Sequence, residues 1–376
     1  MLDRRAFLTA CAALACSPAL ARATAGNENS AVRQRLAAAW QGEHGYQVGI
    51  LQAEAEGLSV RAALDVPTRA HALYQEPDGT LLAIARRPGD WLLRWDQTGQ
   101  PLAWCWIEPR RAFTGHVVSD GNTLYIAETD LDTGAGLIGV RDAKTLEKRA
   151  EWPTHGIDPH QLLWDARQPG ALIVANGGVP TRPETGRAKV DLDRMDSSLV
   201  RIDAASGEML GQWRLDDRRL SLRHLAWSAD LLGIALQAEH DDAGSKATAP
   251  VLALFDGERL RTVAATRALS GYGGDIAAFG AAAFSGTAFG GSAAMGGFAV
   301  SCPRARGIAL FDAGAGWRGF LSLDEACPLT ATPHGLLAGG MRRSLVVSPE
   351  TGVAAMAMPE LRMDNHWIAL GPDSAS

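Results

Sequence analysis

The stretch Phe113–Asp130, FTGHVVSDGNTLYIAETD, decides the reading of this chain. A lone His116 stands just before an alternating apolar run, which turns at Asp120-Gly121 and returns as a second apolar run. Apolar run, Asp-Gly turn, apolar run is a β-hairpin signal. The residue that needs explaining is His116, because an apolar residue at the start of that strand would be unremarkable. A single His of this kind is ordinarily structural, so its meaning depends on whether the arrangement recurs.

It recurs along the whole chain. The other copies are TRAHALYQEPDG, IDPHQLLWD, SLRHLAWSAD, GYGGDIAAFG, DEACPLTATPHG and RMDNHWIAL. The marked positions are His71, His116, His160, His224, Asp275, Cys327 and His366, separated by 45, 44, 64, 51, 52 and 39 residues. Such periods match a β-propeller blade, with the long third interval absorbed by a polar insertion at Val179–Ser198. Most starts follow a hairpin of one grammar: a strand ending in Asp, a Gly- or Thr-containing turn, and a further strand. WLLRWDQTGQPLAWCWI, LIGVRDAKTLEKRAEW, LVRIDAASGEMLGQW and RSLVVSPETGVAAMAM are examples, each expected to be the outer strand pair of a blade.

The expectation is therefore an all-β, seven-bladed β-propeller. The last start lies close to the C-terminus, so that blade needs strands from elsewhere. RLAAAWQ, YQVGILQA and LSVRAALDVP are expected to supply its second, third and fourth strands, sealing the ring and removing exposed edges. AVRQRLAAAW also has a helical composition, and strand is the preferred reading from Arg35 onward.

In a propeller, the first strand of each blade faces the central channel. The seven marked residues are then expected to form a ring near one mouth, and His, Asp and Cys are all ligands for first-row transition metals. Three or four protein ligands are usual, so not every member binds one ion. The bland alternative is a hydrogen-bonded network, since Gly115-His116 looks like the Gly-His pair of WD-repeat blades. The regular Asp and Trp-Asp partners of that device are missing. His155 is read as a loop residue, His334 as the start of a second strand outside the ring, and His44 and His240 as turn residues.

The first residues, MLDRRAFLTACAALACSPALARATAG, join Arg4-Arg5 to a short apolar run and small-residue cleavage options. That pattern is expected of a twin-arginine (Tat) signal over residues 1–25, followed by one domain over 26–376 in the periplasm. The apolar run is too short for a permanent span, and Leu14 is misplaced for a lipoprotein box before Cys16. After that segment only Cys105, Cys302 and Cys327 remain, so disulfides are not the scaffold; Cys302 and Cys327 either pair or leave Cys327 as a thiolate ligand. Net charge is −6 with no basic run, which argues against nucleic-acid binding. Glu128, Asp130 and Asp132 precede a Gly-rich turn but lack EF-hand spacing, and are read as a plain turn rather than a Ca²⁺ loop. The Gly/Ala-rich segment GAAAFSGTAFGGSAAMGGF is read as a mobile loop over one face, and its glycines do not form a phosphate loop.

Several long motifs occur in one order: RRPG at Arg86–Gly89, ETDLDTGAGLIGVRDA at Glu128–Ala143, GIDPHQLL, ANGGVPTRPETGR followed by LDRMDSSLVRID, GIALQAE, YGGDIAAF and DNHWIAL. Together they resemble the bacterial exported proteins grouped as domain of unknown function 1513, over nearly all of the chain beyond the signal. That resemblance implies a Tat-exported, seven-bladed periplasmic propeller associated with imelysin-type and dihaem peroxidase-like proteins, hence a part in iron acquisition. It also implies that the seven marked residues match recurring polar positions. Arg182 stands where the pattern usually has His, which leaves a metal role for that loop in doubt.

Three functions follow as expectations. The first is a metal-binding propeller, with iron the leading ion and copper or zinc as alternatives. The second is a non-catalytic scaffold that docks an imelysin-like or peroxidase-like partner. The third, a metal-dependent redox enzyme, ranks last, because no acid/base pair, nucleophile or cofactor fingerprint stands out. The protein is expected to be a monomer whose export partner is the Tat translocon.

Overall fold

In the computed structural model the described residues are 33–54, 56–181, 189, 191–280, 296–314, 316–332, 335–348 and 352–371. The segment expected to be a signal, Arg182, His334 and most of the Gly/Ala-rich stretch lie outside the described residues.

The short alternating runs do form strands, and the turns between them explain why they end where they do. At the tips of the outer hairpins the terminal Asp carboxylate accepts backbone N–H groups of the turn. Asp96 takes those of Thr98 and Gln100, Asp142 those of Lys144 and Thr145, and Asp203 those of Ala205 and Ser206. Asp312 does the same for Gly314 and Gly316. The recurrent strand-ending Asp is thus an Asx-type turn device that satisfies donors the ladder cannot reach.

Among the described residues the strands assemble into five four-stranded sheets and one eight-stranded sheet. The eight-stranded sheet consists of two antiparallel runs joined by a single parallel bridge between Ala357 and Gly57. One of those runs is the expected closure. The C-terminal strand Arg362–Ala369 pairs with Gln34–Gln41, which pairs with Tyr46–Glu54, which pairs with Gly57–Val66. Residues from Gln34 onward are strand, not helix.

The innermost strands are Ala70–Gln75, Arg111–Ser119, Pro159–Trp164, Leu220–Ser228, Ile276–Phe279, Leu329–Thr332 and Arg362–Ala369, and each touches the next in a cycle that returns to the first. This is a propeller-like β fold. Its core lies between neighbouring sheets. Ala37, Ala39, Val48 and Ile50 of the closing strands pack with Leu81, Ala83, Trp91, Leu93 and Trp95 of the following sheet. Second strands buried on both faces, such as Leu81–Ala85 and Ala171–Asn176, read as continuous apolar runs for that reason. Among the described residues no helix is long and apolar enough to cross a membrane.

Candidate metal centre

The ring residues are placed by irregularities rather than by regular pairing. Ala70 pairs with Ala85 and Leu73 with Ala83, so His71 and Ala72 oppose one residue. Similar register shifts fall between Phe113 and Val117, between Pro159 and Leu162, and between Leu222 and Leu225. Each shift spans a marked His. A β-bulge bends its strand and re-aims side chains, which is what turns these imidazoles toward the shared centre. The sequence reading set every marked residue at the opening of its strand, and the structure corrects this. His116 is the sixth residue of Arg111–Ser119 and His224 the fifth of Leu220–Ser228, because the segment ahead of each bulge keeps pairing.

The imidazoles meet. His71, His116, His224 and His366 each offer a ring nitrogen, and these nitrogens all lie within 4.8 Å of one another. His224 Nε2 is 2.8 Å from His160 Nε2 and 2.9 Å from His366 Nε2. One ring nitrogen carries either one proton or one lone pair, so it cannot make a full hydrogen bond to both neighbours. The same separations suit neighbouring nitrogens each about 2.0–2.1 Å from a shared ion, which lie about 2.8–3.0 Å apart at right angles. Both nitrogens of His71, His116 Nε2, His160 Nδ1 and His224 Nδ1 are buried without a hydrogen-bond partner. Leaving such groups unpaired costs roughly 1–3 kcal/mol each, so the donor set fits a metal better than it fits a structural network.

Burial holds His71, His116, His160 and His224 well below the ordinary imidazole pKa, and the neighbouring ring members add to the effect. Neutral imidazole is the form that ligates metal. Gly115 has φ 113°, and a Cβ there would sit 2.5 Å from His71 Cδ2, so glycine is what lets the His71 ring lie against the strand before His116.

Asp275 occupies a supporting position. Its Oδ1 accepts from Ile276 N and lies 3.2 Å from His366 Nδ1, while its Oδ2 accepts from Leu329 N. A carboxylate on the far nitrogen of a ligating His fixes tautomer and ring direction. Cys327 lies beside Asp275 and Asp364, and burial followed by those carboxylates drives its thiol pKa far up, which leaves it a protonated neighbour in this structure. Cys302 and Cys327 are both free thiols.

The remaining expectations resolve individually. His155, expected in a loop, lies exposed within the strand Lys148–Ile157 at φ 55°, and His240 pairs with Asp217 at 2.9 Å. Asp130 accepts the backbone N–H groups of Asp132 and Thr133, and Glu128 turns away into a buried ion cluster, so that segment is a turn. Sequence reasoning missed Arg223, which is 1% exposed and adjacent to His224. It also missed Asp158, a buried residue with φ 54°, which contacts both Arg87 and Arg223. The RRPG and GIDPH motifs carried those two partners, but nothing in the strand SLRHLAW distinguished Arg223 from an outward-facing Arg.

A propeller-like β protein with a buried His cluster able to hold a metal ion is the class these features define. The family model described as protein of unknown function (DUF1513) matches residues 64–370, and the chain belongs to that family. No curated protein matches the sequence. Among solved structures, a chain in the crystal structure of a nidogen/laminin complex is similar over 90% of this chain and 98% of its own length, with a TM-score of 0.50 and 11% identity. At that identity the likeness concerns the fold alone.

Proposed function

We propose that this chain is a Tat-exported, seven-bladed periplasmic propeller that binds a transition metal at the His ring and serves as an accessory in iron acquisition. Counting the two runs of the eight-stranded sheet as separate blades gives the seven. The observation that carries the metal reading is the convergence of ring nitrogens from His71, His116, His224 and His366 within 4.8 Å. His160 stands beside His224 as a further donor, Asp275 orients His366, and Cys327 is a reserve ligand that must first lose its proton. Imidazole donors suit iron, copper and zinc alike, so the choice of iron rests on the resemblance to proteins of imelysin-type clusters. Metal analysis of protein purified without a nickel column tests this reading. Iron should be present or readily taken up, and His116→Ala should lower its affinity by about a hundredfold. Protein that takes up neither iron, copper nor zinc would end it.

A second reading is a docking scaffold for an imelysin-like or peroxidase-like partner. It is favoured by the edge strand Pro101–Trp106, where Leu102, Trp104 and Trp106 form an exposed row, Trp106 being 57% exposed. Apolar residues on an unpaired edge are a liability that proteins normally blunt. Capture of either partner that survives loss of the ring His residues and fails in Trp106→Ser would favour the scaffold.

A further inference from the structure

Arg223 stands out among the arginines of this protein. Arg69, Arg94, Arg111 and Arg214 each turn the Nε/Nη2 edge of the guanidinium onto a carboxylate, of Asp364, Glu76, Glu151 and Asp196 respectively. That edge presents two parallel N–H donors spaced to match a carboxylate. Arg223 is more deeply buried than any of these four. Yet Nε, Nη1 and Nη2 have no hydrogen-bond acceptor. Asp158 Oδ2 lies 2.8 Å from Nη1 as an ion pair without hydrogen-bond alignment, and Asp158 also faces Arg87. Glu239 and Tyr272 act on Arg223 by charge alone, so the Nε/Nη2 edge is a buried two-donor fork that no described residue answers with a hydrogen bond.

The bulge between Leu222 and Leu225 sets Arg223 and His224 together opposite Ala235, so the fork belongs to the strand that carries the central imidazole of the cluster. Arg223 is close enough for its charge to act on both His160 and His224, and Arg86 acts likewise on His71 and His224. Gly177 closes the other side. A Cβ there would fall 2.6 Å from Asp158 Oδ2 and 2.8 Å from Arg223 Nη1, so only glycine leaves room for this arrangement.

Charge makes the same demand. A di- or trivalent cation held by neutral imidazoles gains no compensation from its ligands, and two arginines stand beside it. Asp275 lies 3.2 Å from His366 Nδ1, Asp158 is shared between Arg223 and Arg87, and Glu239, which acts on Arg223, is already paired with Lys189. These carboxylates are fewer than the cationic groups they face once a metal is bound, and an anion shared between the cation and a guanidinium offsets the remainder.

We propose that the Arg223 fork beside the His cluster is a subsite for a small planar oxyanion, carbonate or a carboxylate, which co-binds with the metal. This rests on the metal reading given above. The oxyanion takes the two parallel N–H groups on one side and neutralises the cation on the other, so metal and anion are taken up and released together. Release of either would weaken the hold on the other, since the coupling is reciprocal.

The test uses the full chain, stripped of metal, and zinc as a redox-inert probe in competition with a chromogenic chelator. Three buffers of equal pH and ionic strength are compared, containing sodium chloride, sodium bicarbonate or sodium formate, with atmospheric carbon dioxide kept out of the chloride and formate arms. At least tenfold tighter zinc binding is expected in bicarbonate or in formate than in chloride, and the arm that responds identifies carbonate or carboxylate as the source. In Arg223→Met that gain should fall below twofold, and Arg223→Lys, which keeps the charge but loses the fork, should recover only part of it. Equal zinc affinity in all three buffers overturns the oxyanion subsite while leaving the metal reading intact, and so does a gain that persists in Arg223→Met. No zinc uptake in any buffer removes the metal reading and the subsite with it. The wild-type comparison decides the matter even if the variants fold poorly.

Discussion

Two of the polar clusters that this protein buries are built on opposite rules. Near the outer strands, Glu128 is fully buried and is answered by Arg141 at 3.1 Å and Lys148 at 2.7 Å. Lys148 also reaches Glu108 and Glu151, and Arg111 closes the group by pairing with Glu151 through two hydrogen bonds. Space is made for it: a Cβ at Gly139 would meet Glu128 Oε1 at 2.0 Å. Positive and negative groups alternate, and the network explains itself as structure. At the channel, five imidazoles crowd one another while ring nitrogens and a guanidinium edge go without partners. A buried polar group that has its partner stabilises or is neutral, whereas one without a partner costs stability and calls for an explanation. Burial of polar residues is therefore not the functional signal here; the gathering of many partnerless groups at one centre is, since Arg141 Nε, Ser301 Oγ and Ser344 Oγ also lack partners but sit on separate strands.

The contrast is open to direct attack. Removing Glu128 leaves Arg141 and Lys148 without their buried partner, so Glu128→Ala should cost about 3 kcal/mol of stability in urea unfolding, with metal affinity little changed. The channel should behave in reverse. His71→Leu removes two partnerless ring nitrogens and should raise the stability of the metal-free protein by about 1–2 kcal/mol while weakening metal binding.

Acid should separate the two clusters as well. The folded state holds four imidazoles well below their ordinary pKa, so the unfolded chain binds protons that the folded chain refuses. Their contribution is fully present above pH ~6.5 and is lost as pH falls below it, by up to about 1.4 kcal/mol per pH unit for each imidazole. His71→Leu should flatten that slope in metal-free protein. Glu151, held by Arg111 and lowered to about 2, keeps its contribution until much stronger acid. Loss of the metal-free fold with the same midpoint in wild type and His71→Leu would break the distinction. A smaller effect is expected at the supporting carboxylate: Asp275→Asn should reduce metal affinity by about tenfold without abolishing it, because it disturbs the direction of His366 rather than removing a donor. A chelator competition titration measures this.

Much of this was legible in the residues. The strand-ending Asp, the hairpin turns and the recurrence of a polar residue at blade-length intervals fixed the all-β repeat, and the short C-terminal strand required completion from the N-terminal segment. The seven marked residues could be chosen because each broke the apolar pattern of its strand. What pattern could not give was their division of labour. Asp275 breaks the pattern just as His224 does, but its oxygens are taken by Ile276, Leu329 and His366, while His224 lies between two other imidazoles. Nor could it reveal Arg223, since an Arg in a strand ordinarily faces solvent.

By itself, the sequence determined that the chain is a closed repeat of short strands with one conspicuous polar residue per repeat, because periodicity and turn chemistry are local and survive in one dimension. Only the tertiary structure decided which of those residues share a centre, and that an arginine joins them. The bulges that aim His71, His116, His160 and His224 arise from pairing between strands, and the partners that a buried group has or lacks come from segments far apart in the chain.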